Sequence, residues 1–259
     1  PVRNWFKDKF DDFTRPQKLA IPAIMAKEHL LLCSPTGSGK TLTAFLTVID
    51  NLVRAAREKK LQKKVYCVYI SPIKALANDI QRNLLGPLKE IYDNYLPDGT
   101  QEVKVGLRTG DTPQSERQKM LRNPPHILIT TTESLAIAIT SPRFQPIVNA
   151  VEFMIIDELH SLVPSKRGVH LALTLSYLDT LLTIPVQRIG ISATMEPLET
   201  VAEYLVSSGD DEDGVGTKVN IAKISGAREL DLDILITDPK FSDLSVMKIL
   251  EKNIEAIAD

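Results

Sequence analysis

The sequence contains 259 residues, which is enough for one large α/β domain or two small domains. Its hydrophobic content of 43% and charged content of 25% are typical of globular proteins, and no run of about 18 apolar residues predicts a membrane-spanning helix. The formal net charge of −2 excludes a broadly basic nucleic-acid-binding surface, so any contact with nucleic acid must be local.

The amino-terminal residues and the two cysteines indicate the cellular compartment. The first residues lack the apolar core of a signal peptide. Cys33 and Cys67 both lie in apolar, strand-like runs, and the chain contains no Cys-x-x-Cys spacing. We therefore expect these thiols to be small core residues in a reducing compartment, in a cytoplasmic protein without a membrane partner or a zinc site.

The first clear helix begins near Thr14, which is followed by Pro16 and by an apolar-periodic stretch to Met25. This pattern predicts an N-capped helix with proline in its first turn. Gln17 would lie just inside that helix, and its amide has the geometry to pair with the N6 and N7 edge of adenine. On spacing alone, an ordinary surface glutamine is the simpler interpretation. Only the motif that follows Gln17 along the chain favours a contact between this glutamine and adenine.

That motif begins with an apolar run at residues 30–33, which predicts a buried strand ending in a glycine-rich turn and a helix from about Gly39. A strand, a glycine loop and a helix in this order form a phosphate-binding loop, because backbone N–H groups and the helix N-terminus attract an anion. Lys40 is placed to reach the terminal phosphates of a nucleotide, and the Thr41 hydroxyl to ligate Mg²⁺. Ser34 replaces the first glycine of the usual pattern, and an unliganded turn is the alternative. The predicted phosphate-contacting residues are Pro35, Thr36, Gly37, Ser38, Gly39, Lys40 and Thr41.

The alternation of an apolar strand with a helical pattern continues along the chain. Further strands are predicted at 65–70, 103–107, 126–129, 152–156 and 188–191. This order predicts an α/β fold with a mostly parallel central sheet covered by helices on both faces. Polar residues follow nearly every strand. Because ligands bind outside the carboxyl ends of the strands in such sheets, these polar turns are expected to meet at one edge.

The composition changes toward the end of the chain. An acidic, flexible segment is predicted at 209–216. After Gly226, a short strand with a turn is predicted at 228–240 and an amphipathic helix at 243–258. We therefore divide the chain into a domain at 1–226 and a second segment at 227–259.

Two adjacent carboxylates, Asp157 and Glu158, follow the fully apolar run at 152–156. Asp157 would hold Mg²⁺ through its water shell, and Glu158 would position or deprotonate an attacking water. The alternative is a pair of solvated loop carboxylates. That alternative does not explain why an apolar strand ends in both of them.

Two polar turns have the features of phosphate contacts. Thr131 and Thr132 precede an apolar helical run, so they would lie at a helix N-terminus with free N–H groups. The turn at 109–111 contains Gly110, which permits close backbone approach to a ligand. Such contacts carry little sequence information. Taken singly, each is equally well an ordinary cap or turn, whereas together on one sheet edge they favour a binding track.

His29 is interpreted as a loop residue.

Three motifs in order resemble the motor lobe of a superfamily 2 helicase: the loop at 34–41, Asp-Glu-Leu-His at 157–160 and Ser-Ala-Thr at 192–194. Further strings are similar to those of the large helicase-related (Lhr) family. They lie at 69–79, 108–113, 131–135 and 166–173, within a resemblance that spans residues 1 to about 206. Thr132 stands where that family usually has proline. A threonine can still cap a helix there.

The resemblance implies a three-layer, RecA-like P-loop NTPase domain with ATP and Mg²⁺ as cofactors. It implies that Gln17 contacts adenine, that Phe10 or Phe6 stacks on the base, and that Lys40, Asp157 and Glu158 act in catalysis. Residues implied to couple nucleotide state to the strand-binding surface are His160, Ser192 and Thr194. Residues implied to line a nucleic-acid track are Pro72, Lys74, Thr109, Gly110, Asp111, Thr131, Thr132, Glu133 and Ser134.

The resemblance further implies ATP-driven 3′-to-5′ movement along a single strand and unwinding of DNA or RNA–DNA hybrids, with DNA favoured and RNA possible. A second RecA-like lobe, beginning near 227, would supply a catalytic arginine, so this chain alone is expected to be nearly inactive. Three alternatives remain open. They are an ATP-gated clamp or remodeller, a DEAD-box-like RNA helicase, which the Asp-Glu-Leu-His string disfavours, and a non-enzymatic nucleotide-binding scaffold.

Overall fold

The computed structural model describes residues 1–35, 37–72, 80–193, 195–206 and 218–224. Several sequence-based predictions lie outside these ranges, namely Thr36, Lys74, Thr194, the acidic segment 209–216, the strand at 228–240 and the helix at 243–258. All described residues belong to one unit, Pro1–Gly226. The division at Gly226 into two domains stays a prediction.

Seven strands in the described residues form a single sheet. They are β1 His29–Cys33, β2 Cys67–Ile70, β3 Val105–Arg108, β4 Ile127–Thr130, β5 Phe153–Ile156, β6 Gln187–Ser192 and β7 Val219–Lys223. Their order across the sheet is β3-β4-β2-β5-β6-β1-β7, and every pair is parallel. The predicted α/β fold with a parallel sheet is confirmed.

Helices connect the strands and cover both faces of the sheet. They are α1 Val2–Lys9, α2 Arg15–Met25, α3 Lys40–Arg57, α4 Gly86–Tyr95, α5 Gln114–Arg122, α6 Thr132–Ile139, α7 Gln145–Val148, α8 Leu159–Leu162, α9 Lys166–Leu181 and α10 Leu198–Leu205, with a π-helical turn at Gln81–Leu85. Thr14 is the N-cap of α2, as predicted. In the part of the chain that the structure describes, no helix is long and apolar enough to span a bilayer.

The alternation of side chains along each strand produces two cores, one on each face of the sheet. Leu30 and Leu32 of β1 pack with α1, α2 and α3, whereas Leu31 and Cys33 pack on the opposite face with α6 to α10. Successive strand residues point to opposite faces, so a continuous apolar strand must be covered twice. Cys33 and Cys67 are buried free thiols, and burial raises the pKa of Cys33 to about 11.

Two details differ from the sequence analysis. His29 is not a loop residue: it is the first residue of β1, and its Nδ1 accepts a hydrogen bond from the Arg188 backbone N–H at 3.1 Å. Strand β7 was not predicted. It is short and half-exposed at the sheet edge, where it pairs with β1 from His29↔Val219 to Cys33↔Lys223. Its pairing partner lies far away along the chain, and a local pattern does not identify it.

Candidate functional site

All strands are parallel, so the loops that follow them lie at one edge of the sheet. The glycine loop follows β1 and Asp157 follows β5, and both strands flank β6. Two strand spacings correspond to about 9–10 Å, so Lys40 lies near the two carboxylates Asp157 and Glu158, the acidic dyad. Pro72 follows β2 at the same edge and is partly exposed. The topology therefore places the predicted nucleotide residues on one side of the molecule.

The glycine loop is held by contacts among its own residues. The Ser34 hydroxyl is buried and hydrogen-bonded to the Ser38 hydroxyl at 2.7 Å. Lys40 Nζ donates hydrogen bonds to the backbone carbonyls of Ser34 and Pro35, the latter at 3.0 Å. The serine in place of the usual first glycine therefore strengthens the loop. The Lys40 ammonium is thus hydrogen-bonded to carbonyl groups of its own loop. A phosphate ligand can replace these carbonyls as the partner of the ammonium.

The loop has the features of an anion cradle. Gly37 and Gly39 have φ values of 76° and 84°, a backbone conformation that side chains other than glycine rarely adopt. Gly39 is the N-cap of the 18-residue helix α3 and provides no side-chain cap, so N–H groups at this end are available to a ligand. A Cβ at Gly37 would meet no atom within 4 Å, which shows open space beside the loop.

Electrostatics ties the loop to the acidic dyad. Burial lowers the pKa of Lys40, while the negative charges of Glu158 and Asp157 act in the opposite direction. A partly desolvated ammonium facing two carboxylates matches an Mg²⁺–triphosphate, whose negative phosphates and positive metal fit these charges. Thr41, the next residue of α3, is partly exposed beside them.

Asp157 is held rigidly. It is 5% exposed, and its carboxylate accepts hydrogen bonds from the Tyr69 hydroxyl at 2.5 Å and the Glu158 N–H at 2.8 Å. Burial raises the pKa of Asp157, partly offset by the hydrogen bond from Tyr69. A buried carboxylate beside a lysine is suited to holding a divalent cation. Glu158 follows with φ of 57°, a strained conformation that turns the chain from β5 into α8.

His160 links Glu158 to the loop after β6. Its Nδ1 accepts a hydrogen bond from the Ala193 N–H at 3.2 Å, so Nε2 carries the ring proton. Nε2 lies 3.1 Å from Glu158 Oε2 and donates to it. At the end of β6, the Ser192 hydroxyl donates to Met195 Sδ at 3.0 Å. The Ser34 N–H of the glycine loop also donates to the Ser192 carbonyl at 3.2 Å, so direct hydrogen bonds join all three motifs.

Gln17 is buried, at 3% exposure, and lies beside the glycine loop. Its Oε1 accepts a hydrogen bond from the Thr14 N–H at 2.8 Å, which fixes the amide orientation. Its Nε2 lies 3.9 Å from the position of a Cβ built on Gly39. The helix cap therefore presents the amide nitrogen toward the start of α3.

The aromatic residues before α2 form a cluster. Phe6 is buried, and its ring stacks on Phe13 with centroids 4.4 Å apart. Phe10 and Phe13 are 36% and 39% exposed. Of the two rings named from the sequence, Phe10 is accessible to a base and Phe6 is not. Phe13 is a further accessible ring that the sequence analysis did not consider.

Pro72 follows β2 and Lys74 lies outside the described residues, while the other predicted track residues lie at the ends of β3 and β4. Thr131 is the N-cap of α6 and accepts a hydrogen bond from the Ser134 N–H at 3.3 Å, and Thr132 is buried. Glu133 binds Arg167 of α9 through two hydrogen bonds of 2.6 and 3.1 Å. Hydrogen bonding to Arg167 lowers the pKa of Glu133 to about 2. Glu133 therefore joins two helices, a role the sequence did not indicate.

The turn after β3 is built around Arg117 of α5. The Thr109 N–H donates to the Thr112 hydroxyl at 2.8 Å, and Arg117 donates to the Gly110 carbonyl at 2.8 Å and the Thr109 carbonyl at 3.2 Å. Gly110 and Asp111 are exposed. The turn has a fixed shape and an open backbone.

Sequence reasoning missed Tyr69, Phe13, Arg117 and Arg167. Tyr69 and Arg167 bind Asp157 and Glu133, which lie 88 and 34 residues away in sequence. The contacts of Arg117 and Phe13 span only five to eight residues, but no pattern in the sequence indicated them. Long-range polar pairs have no local pattern.

A lysine-bearing loop after β1, facing acidic residues after the strand two positions away in a parallel sheet, defines a P-loop NTPase domain of the RecA-like class. The DEAD/DEAH box helicase profile matches residues 14–203. The chain belongs to this helicase family.

Named relatives agree with this assignment. The chain is 46% identical over 237 residues to the ATP-dependent helicase Lhr-Core of Methanocaldococcus jannaschii, covering 91% of this chain and 27% of that protein. It is 49% identical to the Lhr helicase/uracil glycosylase of Escherichia coli K12, covering 79% of this chain and 14% of that protein.

Solved structures show the same fold. The Mycobacterium smegmatis helicase Lhr, bound to ssDNA and AMP-PNP, superposes with a TM-score of 0.78 at 39% identity, covering 99% of this chain and 31% of that chain. The DEAD-box helicase Mss116 superposes with a TM-score of 0.67 at 18% identity, which supports the fold alone. The chain thus spans less than a third of each of these Lhr relatives.

Proposed function

We propose that this chain is the first motor lobe of a longer, Lhr-like ATP-dependent helicase. In this proposal it binds Mg²⁺–ATP and uses hydrolysis to move along single-stranded nucleic acid. The observation that carries the proposal is the position of Lys40 at the same sheet edge as Asp157 and Glu158, with mutual electrostatic effects. Sequence identity of 46% and 49% to proteins named as ATP-dependent or Lhr helicases supports the proposal.

The residues of the site have separable roles. Lys40 exchanges its loop carbonyls for the β- and γ-phosphates, and N–H groups at the start of α3 donate to the same oxygens. Thr41 and Asp157 would hold Mg²⁺, and the metal would supply the positive charge that neutralises the phosphates. ATP would supply the bond that is broken. Glu158 orients a water and accepts its proton. Its strained backbone and the His160 contact keep that carboxylate in place.

Coupling to the nucleic acid follows from the His160 bridge. A change in the position of Glu158 on hydrolysis is transmitted through His160 to the Ala193 backbone, in the loop implied to contact a second lobe. Both hydrogen bonds belong to one imidazole ring, so movement at one end displaces the other.

The substrate and setting belong to the same proposal. The Lhr structure bound to ssDNA supports a DNA strand as the favoured partner, with RNA possible. Movement in the 3′-to-5′ direction and a second RecA-like lobe in the same polypeptide rest on the resemblance to Lhr proteins. The two buried cysteines without a disulfide support a reducing, cytoplasmic location.

Replacing Glu158 with glutamine in the full-length protein tests the catalytic proposal. We expect ATP hydrolysis to fall about 10²- to 10⁴-fold, the usual contribution of a general base, with nucleotide affinity retained. The matched control is Glu152→Gln, at the opposite end of β5, where the carboxylate pairs with Lys64. Unchanged hydrolysis in Glu158→Gln, measured by phosphate release, would contradict the proposal.

A strand-displacement assay distinguishes a helicase from an ATP-gated clamp. The full-length protein is offered a duplex with a 3′ single-stranded tail, either as DNA or as an RNA–DNA hybrid. Displacement that requires ATP and the 3′ tail supports a motor. ATP hydrolysis without displacement of either duplex would leave the clamp as the better assignment.

A further inference from the structure

An arginine that has no acidic partner among the described residues lies at the carboxyl end of β3. Arg108 is only 9% exposed as a whole residue, and in the residues that the structure describes its guanidinium forms neither an ion pair nor a hydrogen bond. Its nitrogens are not among the buried side-chain atoms that lack a partner, so the tip of the side chain reaches solvent. Its guanidinium lies over the face of Phe144, 4.9 Å from the ring centroid. The Thr130 hydroxyl donates to the Arg108 backbone carbonyl at 2.8 Å and holds this end of the strand in place.

This arrangement favours an anion beside the guanidinium. The side chain is mostly buried, so the guanidinium keeps only part of its hydration, and a cation–π contact replaces only part of what is lost. The neighbouring charge is another cation, Arg117, which together with burial lowers the pKa of Arg108. The carbonyls of the adjacent turn already accept from Arg117. The N–H donors of the Arg108 side chain thus have no protein oxygen as a partner among the described residues, and they remain open to solvent or to a ligand.

The missing anion is not the triphosphate of the nucleotide. β3 is the edge strand, and β4, β2, β5 and β6 separate it from β1, whose loop holds Lys40. Five strand spacings correspond to about 24 Å, so Arg108 cannot reach a nucleotide bound at the glycine loop.

Arg108 lies instead next to the N-terminus of α6. In the sheet register Arg108 pairs with Thr130, and Thr131, the N-cap of α6, follows directly. The helix N-terminus attracts a phosphate, and the guanidinium presents a planar pair of donors suited to a second one. Both lie at the carboxyl edge of neighbouring strands, beside the exposed turn at 109–111.

We propose that Arg108 binds a backbone phosphate of the single strand, adjacent to the phosphate at the α6 N-terminus. The inference rests on the proposed function and adds a residue that neither motif nor resemblance assigned. The contact is independent of sequence because it is made to the sugar–phosphate backbone. A phosphate would replace the water at these donors, and the contact with the Phe144 ring holds the guanidinium in position for it.

The test uses the full-length protein with the variants Arg108→Met, Arg108→Lys and the control Arg122→Met, which removes an exposed guanidinium at the end of α5. The affinity for a fluorescent thymidine oligonucleotide is measured across a salt series. Loss of one single-strand phosphate contact lowers the salt slope by about 0.7, so between about 50 and 200 mM salt the wild-type affinity should fall about 2.6-fold more than that of Arg108→Met.

Two further readouts separate binding from a structural role. Methionine retains packing on Phe144 and removes an unpaired charge, so the thermal midpoint of Arg108→Met without ligand should equal or exceed that of the wild type. Arg108→Lys should keep the salt slope and lose affinity, because an ammonium lacks the planar fork. The affinity for a nucleotide analogue should not change in any variant.

Two outcomes would overturn the inference. A salt slope in Arg108→Met equal to that of Arg122→Met would exclude a phosphate contact. A lower thermal midpoint with an unchanged slope would instead assign Arg108 to a carboxylate elsewhere in the polypeptide. Failure of the wild-type protein itself to bind the oligonucleotide would reject the proposed function, which is a separate result.

Discussion

At the scale of single residues, Gln17 combines a structural hydrogen bond with a proposed contact to the base. Its Oε1 accepts from the Thr14 N–H and caps α2, while its Nε2 faces the start of α3. The two halves of one amide therefore have different roles. A substitution that retains the oxygen acceptor and removes the nitrogen donor therefore separates the effect on the stability of the fold from the effect on nucleotide selectivity.

Gln17→Glu is expected to make this separation. A carboxylate still accepts from Thr14 but cannot donate to adenine N7. We expect about tenfold weaker ATP binding, the effect of one lost hydrogen bond in a buried site, with a thermal midpoint near that of the wild type. The measurement is competition of ATP and GTP for a fluorescent analogue. Equal loss for both nucleotides would argue against adenine recognition by Gln17.

His160 is the second residue whose two nitrogens have different partners. His160→Phe removes the links to Glu158 and Ala193 together. We expect the stimulation of hydrolysis by single-stranded DNA to fall by roughly 5- to 150-fold, the usual range for coupling between two sites, with less effect on the unstimulated rate. The control is His170→Phe, on the exposed face of α9. Stimulation that remains at the wild-type level would remove His160 from the coupling proposal.

At the scale of secondary-structure elements, the packing of α8 against α9 depends on one small residue. A Cβ at Gly168 would lie 2.1 Å from the Leu162 backbone carbonyl oxygen, while the Gly168 N–H donates to the capping hydroxyl of Ser165. No side chain can relax to remove this clash. The close approach of the two helices therefore requires glycine.

Gly168→Ala should lower the free energy of unfolding by about 1–3 kcal/mol, the usual cost of overpacking. The matched control is Gly110→Ala, since a Cβ at Gly110 meets no atom within 4 Å. Urea denaturation of both variants provides the measurement. Equal midpoints for the two would contradict the packing argument.

Helices α6 and α9 are joined by the ion pair of Glu133 with Arg167. The pKa of Glu133 is lowered to about 2, so the pair stabilises the fold above the ordinary carboxylate pKa of 4.5 and is lost as the pH falls toward 2. Both side chains are more than a third exposed, at 46% and 43%, and solvent screening limits the stabilisation to about 0.2–1 kcal/mol.

Arg167→Gln should therefore reduce the free energy of unfolding by about 0.5 kcal/mol at neutral pH. This difference from the wild type should shrink as the pH is lowered from about 4.5 toward 2, because protonated Glu133 no longer gains from the arginine. The neighbouring exposed residue provides the control, Lys166→Gln. Urea titrations at several pH values supply the comparison. A difference that does not depend on pH would indicate lost packing rather than lost charge.

At the scale of the whole molecule, the described residues would supply one side of the proposed catalytic site. Lys40, Asp157 and Glu158 are present, and among the described residues no arginine forms an ion pair with either carboxylate. The chain covers 14–31% of its named Lhr relatives. In RecA-like motors, the remaining transition-state charge is neutralised by an arginine from outside the lobe.

We therefore predict that residues 1–259 alone bind ATP but hydrolyse it about 10³- to 10⁵-fold more slowly than the full-length protein, the contribution of an arginine finger. Nucleotide binding is measured by fluorescence titration and hydrolysis by single-turnover assay. Hydrolysis by the isolated chain that single-stranded DNA stimulates to the full-length rate would contradict this prediction.

Local patterns in the sequence were sufficient for much of the fold and for the glycine loop and the acidic pair, whereas the coupling residues His160 and Ser192 were named only through the resemblance to a family. The apolar runs ending at Cys33 and Ile156, and the cap at Thr14, are determined by neighbours in sequence, and the structure places the glycine loop and the dyad directly after those strands. Alternating strands and helices, together with parallel pairing, were sufficient to bring the ends of distant strands to one edge.

Only the tertiary structure decided which distant groups meet. The pairing of β7 with β1, the buried position of Arg108 over Phe144, the hydrogen bond from Tyr69 to Asp157 and the Glu133–Arg167 pair all join residues far apart in sequence. These contacts depend on strand order and on where helices cross the sheet. A single sequence records periodicity along the chain, and it contains no corresponding record of which side chains become neighbours in space.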